Sequence, residues 1–180
     1  MDALTTTEVV ALTGLDEKLV RKDVEHNIVV RTSAKRFAEP ALAYFLARAR
    51  YAFDLSKPDR RSLYLMICAA LENGRHDLAL GPGWSLDLQR VLADHRDRRN
   101  AFMTWKERLV QSDDILSGEP VFPNSRLAVR HIGTMLRRGA SVEEVREDYP
   151  YLTEQDLEFA KLYAVAYPKV GRPRAQGDSR

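Results

Sequence analysis

Three basic side chains near the start of the chain have a spacing that suits nucleic-acid binding. Lys18, Arg21 and Lys22 lie three and four residues apart, so in a helix they share one face. A solvent-facing edge of this kind can contact phosphates and reach base edges in the major groove of DNA. Ordinary solvated charges are the alternative, because Glu17 and Glu25 in the same segment dilute the positive potential. The spacing therefore predicts a recognition helix. The alternative interpretation is that these residues are ordinary charges on a solvated surface.

Two short helices joined by a glycine-containing turn would position these residues. A threonine among residues 5–7 can cap the first helix, and Gly14 can end it because glycine adopts a positive φ without strain. Asp16 caps a second helix, which carries Val20 and Val24 four residues apart on its buried side. Such a pair of helices is typical of a helix-turn-helix.

A possible wing follows the second helix. Residues 27–31 are a β-branched run, residues 32–35 a polar turn, and Arg36 with Phe37 a possible returning strand. A hairpin at this place would complete a winged helix-turn-helix. The wing residues that we expect to contact the adjacent DNA backbone are Arg31, Lys35 and Arg36.

The central part of the chain predicts further helices with one short strand. Residues 59–72 have the pattern of an amphipathic helix that ends at Asn73 and Gly74. Residues 76–83 indicate a short strand and a turn, and Ser85 is expected to cap a long, charged helix. This region is expected to pack against one or both neighbouring modules.

The last third combines short strands with three helices. Strands are expected on both sides of a turn at residues 118–120, and the last two helices have capping boxes that begin at Ser141 and Thr153. The predicted fold class is mainly α. The predicted organisation is a winged helix-turn-helix at residues 1–52, a central helical region with short strands at 53–111, a three-helix, helix-turn-helix-like module at 112–168, and a flexible basic tail at 169–180.

Charges are distributed unevenly near the C-terminus. Residues 141–160 contain seven acidic side chains and one basic one, whereas residues 161–180 contain five basic side chains and one acidic one. The acidic segment could face a basic partner protein or serve solubility alone. The basic tail could contact a nucleic acid or an acidic pocket of a partner, or it could be solvated.

The residue pattern gives no support to catalysis or metal binding. Cys68 is the only cysteine and lies among apolar residues, so we expect a buried packing role. No phosphate-binding glycine loop or nucleophile elbow is present. We expect no enzyme activity, no cofactor and no membrane span, and a cytoplasmic location. The histidines without metal-ligand spacing are His26, His76, His95 and His131.

Four motifs between residues 112 and 153 carry a resemblance to a known family. In chain order they are SDDILSGEPV at 112–121, RLAV at 126–129, LRRGASVEEV at 136–145 and DYPYLT at 148–153. This region resembles the domain-of-unknown-function 433 family, and the ending, with GRPR at 171–174, resembles its longer members. One departure is that Asn124 and Ser125 precede Arg126, where the family usually has glycine and threonine. Asparagine tolerates a positive φ, so the turn can be retained with Asn124 in place of glycine.

The resemblance implies a function as well as a fold. Longer members carry a MerR-like winged helix-turn-helix in front, and the family includes VapB-type antitoxins that bind a PIN-like ribonuclease toxin and repress their own operon. It implies operator DNA and such a toxin as partners, and we expect a homodimer through the C-terminal module. A stand-alone transcriptional regulator and a pure protein-interaction scaffold are the alternatives. The tail residues expected to reach the carboxylates of the toxin's magnesium site are Lys169, Arg172 and Arg174.

Overall fold

The fold consists of helices connected by short turns, with one small hairpin between them. The computed structural model describes residues 3–51 and 54–169. Over these residues the structure is mainly helical, which confirms the predicted fold class at this level. The elements are α1 (Thr6–Thr13), α2 (Glu17–Glu25), α3 (Glu39–Tyr51), α4 (Lys57–Glu72), β1 (Asp77–Gly81), β2 (Trp84–Asp87), α5 (Leu88–Glu107), a 3₁₀ turn (Leu116–Gly118), α6 (Val129–Arg137), α7 (Val142–Asp148) and α8 (Glu154–Ala166).

Strands β1 and β2 form an antiparallel hairpin between α4 and α5. Leu78 pairs with Leu86, and both side chains are buried, which attaches the hairpin to the core. The strand predicted near residue 77 is therefore present, but the long helix does not begin at Ser85. Residues 84–87 pair with β1 instead, and Asp87 caps α5 by accepting a hydrogen bond from the Arg90 backbone N–H.

Two clusters of buried side chains form the core. The first joins α1, α3, α4, the hairpin and the first half of α5, and Tyr44, Phe45 and Ile67 lie fully buried within it. The second joins the end of α5 to the C-terminal helices and includes Phe102 and Trp105. Helices α1 and α5 contribute to both clusters, so the N-terminal and C-terminal parts pack against each other. The domain limits at residues 52, 111 and 168 stay a prediction.

Helices α7 and α8 begin where their capping residues predict. Ser141 and Thr153 each form a complete capping box, with Glu144 and Asp156 as the reciprocal partners. Helix α6 begins at Val129, just after Ala128, which forms a single antiparallel bridge to Val121; Val121 forms another to Val110.

Two backbone features shape the approach to α6 and its packing. Asn124 has a φ of 56° in the turn before α6, so asparagine does adopt the conformation that glycine usually provides here. On α6, a Cβ atom built on Gly133 would lie 2.0 Å from the carbonyl oxygen of Ala160 on α8. Only glycine permits the observed approach of these two helices.

The predicted wing differs from the structure. Residues 27–31 form no strand; the N–H groups of Ile28 and Val29 donate to the carbonyl oxygen of Asp23 and so close the end of α2. Both side chains are buried in the first cluster, which explains the β-branched pattern without a hairpin. What remains of the wing is a turn in which the Thr32 N–H donates to the Arg36 carbonyl oxygen, followed by a single bridge between Phe37 and Leu4.

The helices in residues 3–51 and 54–169 are each too short or too polar to cross a lipid bilayer.

Candidate nucleic-acid interface

Helices α1 and α2 are joined by a tight turn with well-formed caps. Thr5 caps α1 in a capping box with Glu8, and Gly14 ends it with a φ of 72°. The side chain of Asp16 then accepts a hydrogen bond from the Lys18 backbone N–H, with a donor–acceptor distance of 2.7 Å, and so caps α2. These contacts place a 9-residue α2 directly after an 8-residue α1.

All three basic residues predicted on α2 are exposed. Lys18 and Lys22 lie on the side of the helix opposite the buried Val20, and Arg21 lies beside them. Arg21 pairs with Glu17 one turn earlier, with an N···O distance of 2.5 Å, and both side chains remain largely exposed. An exposed pair of this kind contributes at most about 1 kcal/mol. Arg21 can therefore exchange this partner for another anion at little cost.

A buried carboxylate holds the opposite side of α2. Asp23 has no exposed surface, and one of its oxygens accepts hydrogen bonds from Arg48 on α3 and from the hydroxyl of Tyr44, at 2.5 and 2.9 Å. Its other oxygen accepts from Arg60 on α4, also at 2.5 Å. Both arginine side chains are themselves nearly buried. This cluster ties three helices together and fixes the rotation of α2 about its axis.

The sequence analysis did not identify Asp23, although a signal was present. An aspartate lies between Val20 and Val24 on the apolar side of an otherwise amphipathic helix. A carboxylate in such a position must find a positive or hydrogen-bonding partner, because burying an unpaired charge is costly. Its partners could not be named in advance, since they lie 25 and 37 positions further along the chain.

The predicted wing residues are exposed but not equivalent. Arg31 and Lys35 point into solvent, and Lys35 has a φ of 57° within the turn. Arg36 is engaged: its guanidinium donates to the carbonyl oxygen of Ala3 at 3.0 Å and lies 4.0 Å from Glu8. Arg31 and Lys35 are therefore more available to an external anion than Arg36.

A polar network joins this N-terminal part to the end of α8. One oxygen of Glu8 accepts a hydrogen bond from the hydroxyl of Tyr167 at 3.0 Å, and Lys106 donates to the same hydroxyl at 3.0 Å. Burial raises the pKa of Tyr167 to about 12, and the adjacent carboxylate of Glu8 adds to this. Arg130 donates to the carbonyl oxygen of Tyr167 at 2.9 Å. The end of α8, immediately before the predicted tail, is thus attached to α1.

A second buried carboxylate stabilises the C-terminal region. Asp156, in the first turn of α8, accepts a hydrogen bond from the indole N–H of Trp105 at 2.8 Å. Burial alone would raise the pKa of Asp156, but hydrogen bonds from Thr153 and Trp105 outweigh it and hold the pKa below its ordinary value. The capping residue of α8 therefore also fixes the end of α5.

The residues that might have carried other chemistry do not assemble into a site. Over the described ranges, no three histidine, cysteine or acidic side chains lie close enough to share a metal ion. Burial, together with Arg99 and Arg98, lowers the pKa of His95 to about 4, so this side chain is neutral at physiological pH. Burial raises the pKa of the Cys68 thiol, which disfavours the nucleophilic thiolate.

The predicted tail contacts lie mostly outside the described part of the chain. Lys169 is exposed, two residues after Tyr167. Arg172 and Arg174 fall beyond the described residues, so their proposed contact with a toxin stays a prediction.

Comparison with known proteins agrees with the resemblance of the C-terminal region. Residues 109–164 match the sequence model of the family described as "Protein of unknown function (DUF433)". The chain is also similar to "Uncharacterized protein y4eO" from Sinorhizobium fredii, with 32% identity over 94 residues, and the aligned part spans 52% of this chain and 42% of that relative. No solved structure shows significant similarity to the chain. Residues 109–164 of this chain are therefore similar to the DUF433 family.

Proposed function

We propose that the protein binds DNA through the helix-turn-helix formed by α1 and α2, with α2 as the recognition helix. The observation that carries this proposal is the division of α2 into two sides. Lys18, Arg21 and Lys22 are exposed on one side, while Asp23 on the other is held by two arginines. A rigid helix with an exposed basic edge is what docking into the major groove requires.

Two further residues extend this surface. Arg31 and Lys35 follow α2 in the chain, and both are exposed, so they supply additional positive charge for neighbouring phosphates. Arg36 contributes less, because its guanidinium already contacts Ala3 and Glu8. The fixed position of α2 and these backbone contacts together would set the orientation of the protein on the duplex.

The identity of a protein partner rests on the DUF433 resemblance. That resemblance favours an antitoxin which binds a PIN-like ribonuclease toxin and represses its own operon. The hydrogen bond from Tyr167 to Glu8 holds the end of α8 against α1, close to the exposed Lys169. The proposal assigns contact with the toxin to Lys169, Arg172 and Arg174. A stand-alone regulator without a toxin partner is the alternative.

Neutralising the α2 edge tests the DNA-binding proposal. Fluorescence anisotropy with a duplex from upstream of the gene should show that the double variant Lys18→Ala/Lys22→Ala binds about 10-fold to 100-fold more weakly. The slope of log K against log salt should also fall by about two, because two phosphate contacts are lost. Arg126→Ala/Arg138→Ala is the matched control, since it removes two exposed positive charges from the C-terminal region. Equal effects of the two double variants would contradict a specific role for α2.

Co-expression with the neighbouring gene tests the antitoxin part of the proposal. We expect the full-length chain to co-purify with a PIN-like protein encoded next to it and to restore the growth that this protein inhibits. If DNA binding is confirmed but the neighbouring product neither binds nor inhibits growth, the stand-alone regulator is the correct reading.

A further inference from the structure

Helix α4 has a second apolar side that the fold does not use. From Ser62 to Leu71 the helix contains no charged residue. One side of this stretch, including Leu63 and Ile67, is buried in the first core cluster. A helix that is apolar on both sides normally has neighbours on both sides. Here the second side faces solvent over the described part of the chain.

The exposed side of α4 forms a continuous stripe. Its four residues recur at the spacing i, i+3, i+4 and i+7, so they lie on one face of the helix. Leu65 is 55% exposed and Met66 is 40% exposed, which is unusual for side chains of this size. The stripe consists of Ser62, Leu65, Met66 and Ala69.

The hairpin beside α4 enlarges this surface. Trp84, the first residue of β2, is 68% exposed and is the most exposed large apolar side chain among the described residues. Between Trp84 and α4 lies an open groove of about 380 Å³, which Ser62, Met66 and Leu80 also line, with Asp59 as the one charged residue among its described lining residues. The stripe and the groove share Ser62 and Met66, so they form one continuous surface. The ring of Trp84 projects from this surface, and the groove is a depression in it.

We propose that this surface, the α4–hairpin face, is the interface of a symmetric homodimer. The order of side-chain sizes along the stripe decides in favour of a second copy of the chain. Ser62 and Ala69 are small and lie at the ends, while Leu65 and Met66 are large and lie in the middle, so the stripe has the same size order in both directions. An antiparallel pair of α4 helices would set Ser62 against Ala69 and Leu65 against Met66. A two-fold axis requires this kind of self-complementarity.

The size of the face indicates a dimer of moderate affinity. A tryptophan ring contributes on the order of 150 to 250 Å² when it becomes fully buried. With the stripe and the groove added, two copies would bury roughly 1,000 Å² in total, which is near the lower limit for a specific interface. We therefore expect a dissociation constant of micromolar order.

The inference revises where the homodimer forms. The sequence predicts it in the C-terminal module, but the large exposed apolar residues there are distributed over several segments, namely Leu116, Val142 and Tyr151. Dimerisation through α4 stands without the proposed DNA binding. If that function holds, the dimer also fixes two recognition helices relative to each other, because Arg60 of α4 binds Asp23 of α2.

Mass measurement across a concentration series tests the proposal. Size-exclusion chromatography with light scattering, from about 1 μM to about 300 μM, should show the mass rise from 20.5 kDa toward twice that value. Trp84→Ser and Leu65→Glu should each weaken association at least about 10-fold, because each removes a large part of the apolar contact. Leu116→Glu is the matched control, since Leu116 is also 55% exposed and lies on another surface.

A second readout uses wild-type protein alone. Trp105 is buried, whereas Trp84 is exposed, so acrylamide quenching of tryptophan fluorescence reports mainly on Trp84. Quenching should decrease as the dimer forms. The proposal is overturned if the wild type stays monomeric with Trp84 fully quenchable, or if a dimer forms that Trp84→Ser and Leu65→Glu leave unchanged. The readout does not involve DNA, so its failure would leave the proposed function untouched.

Discussion

Asp23→Ala should destabilise the fold by about 3 to 5 kcal/mol, which is a large part of the stability of a domain of this size. The substitution leaves Arg48 and Arg60 nearly buried without the carboxylate that compensates both of them. It also removes the acceptor of the Tyr44 hydroxyl. Urea unfolding, followed by circular dichroism, measures the loss.

An exposed ion pair provides the control for this prediction. Asp94 pairs with Arg50 at 2.8 Å, but 62% of the Asp94 side chain is exposed. Asp94→Ala should therefore cost less than about 1 kcal/mol. A loss of similar size in both variants would show that Asp23 is no more important than a surface charge, and the account of how α2 is held would be wrong.

Gly133→Ala should cost about 3 kcal/mol or more, although helix propensity alone favours alanine by about 1 kcal/mol. The added Cβ would lie 2.0 Å from the carbonyl oxygen of Ala160 and 2.8 Å from the Cβ of Ala164. Because a carbonyl of α8 is part of the backbone, no side-chain rotation can relieve this contact, and α6 and α8 must move apart.

Gly81→Ala is the matched control for the second prediction. A Cβ at Gly81 meets no atom within 4 Å, and this glycine does not need a positive φ. Its free energy of unfolding should change by less than about 1 kcal/mol. If Gly133→Ala were as stable as Gly81→Ala under urea, the close crossing of α6 and α8 would not exist in solution.

Local signals in the sequence predict part of this fold well. The capping boxes at Ser141 and Thr153 depend on contacts between residues three positions apart, and both are present. Gly14 ends α1 for a similar local reason. Features of this kind need no knowledge of tertiary structure.

Features that depend on distant residues were missed or misplaced. The β-branched residues Ile28 and Val29 predicted a strand, but their backbone N–H groups close α2 and their side chains fill the core. Ser85 predicted a helix start, but strand pairing with β1 prevails until Asp87. The partners of Asp23 are unpredictable for the same reason, since tertiary packing decides which arginines come near it.

The sequence predicts the exposed basic residues of the candidate site. It does not predict the tertiary contacts that hold them in place. Spacing alone placed Lys18, Arg21 and Lys22 on one face, and the structure confirms that all three are exposed. Spacing did not indicate that Arg36 is engaged with Ala3, because that contact joins residues 33 positions apart. The residue pattern therefore predicts the positions of the basic side chains. It does not predict which of these side chains are available to a ligand.

The salt dependence of wild-type DNA binding tests the central claim most directly. With the three α2 residues, Arg31 and Lys35 on phosphates, log K should fall with log salt at a slope of about −4.5 for each N-terminal module. Binding to the upstream duplex should also be tighter than to an unrelated duplex of equal length. Absence of binding at low salt, or a slope near zero, would contradict the assignment of α2 as a DNA-contacting helix.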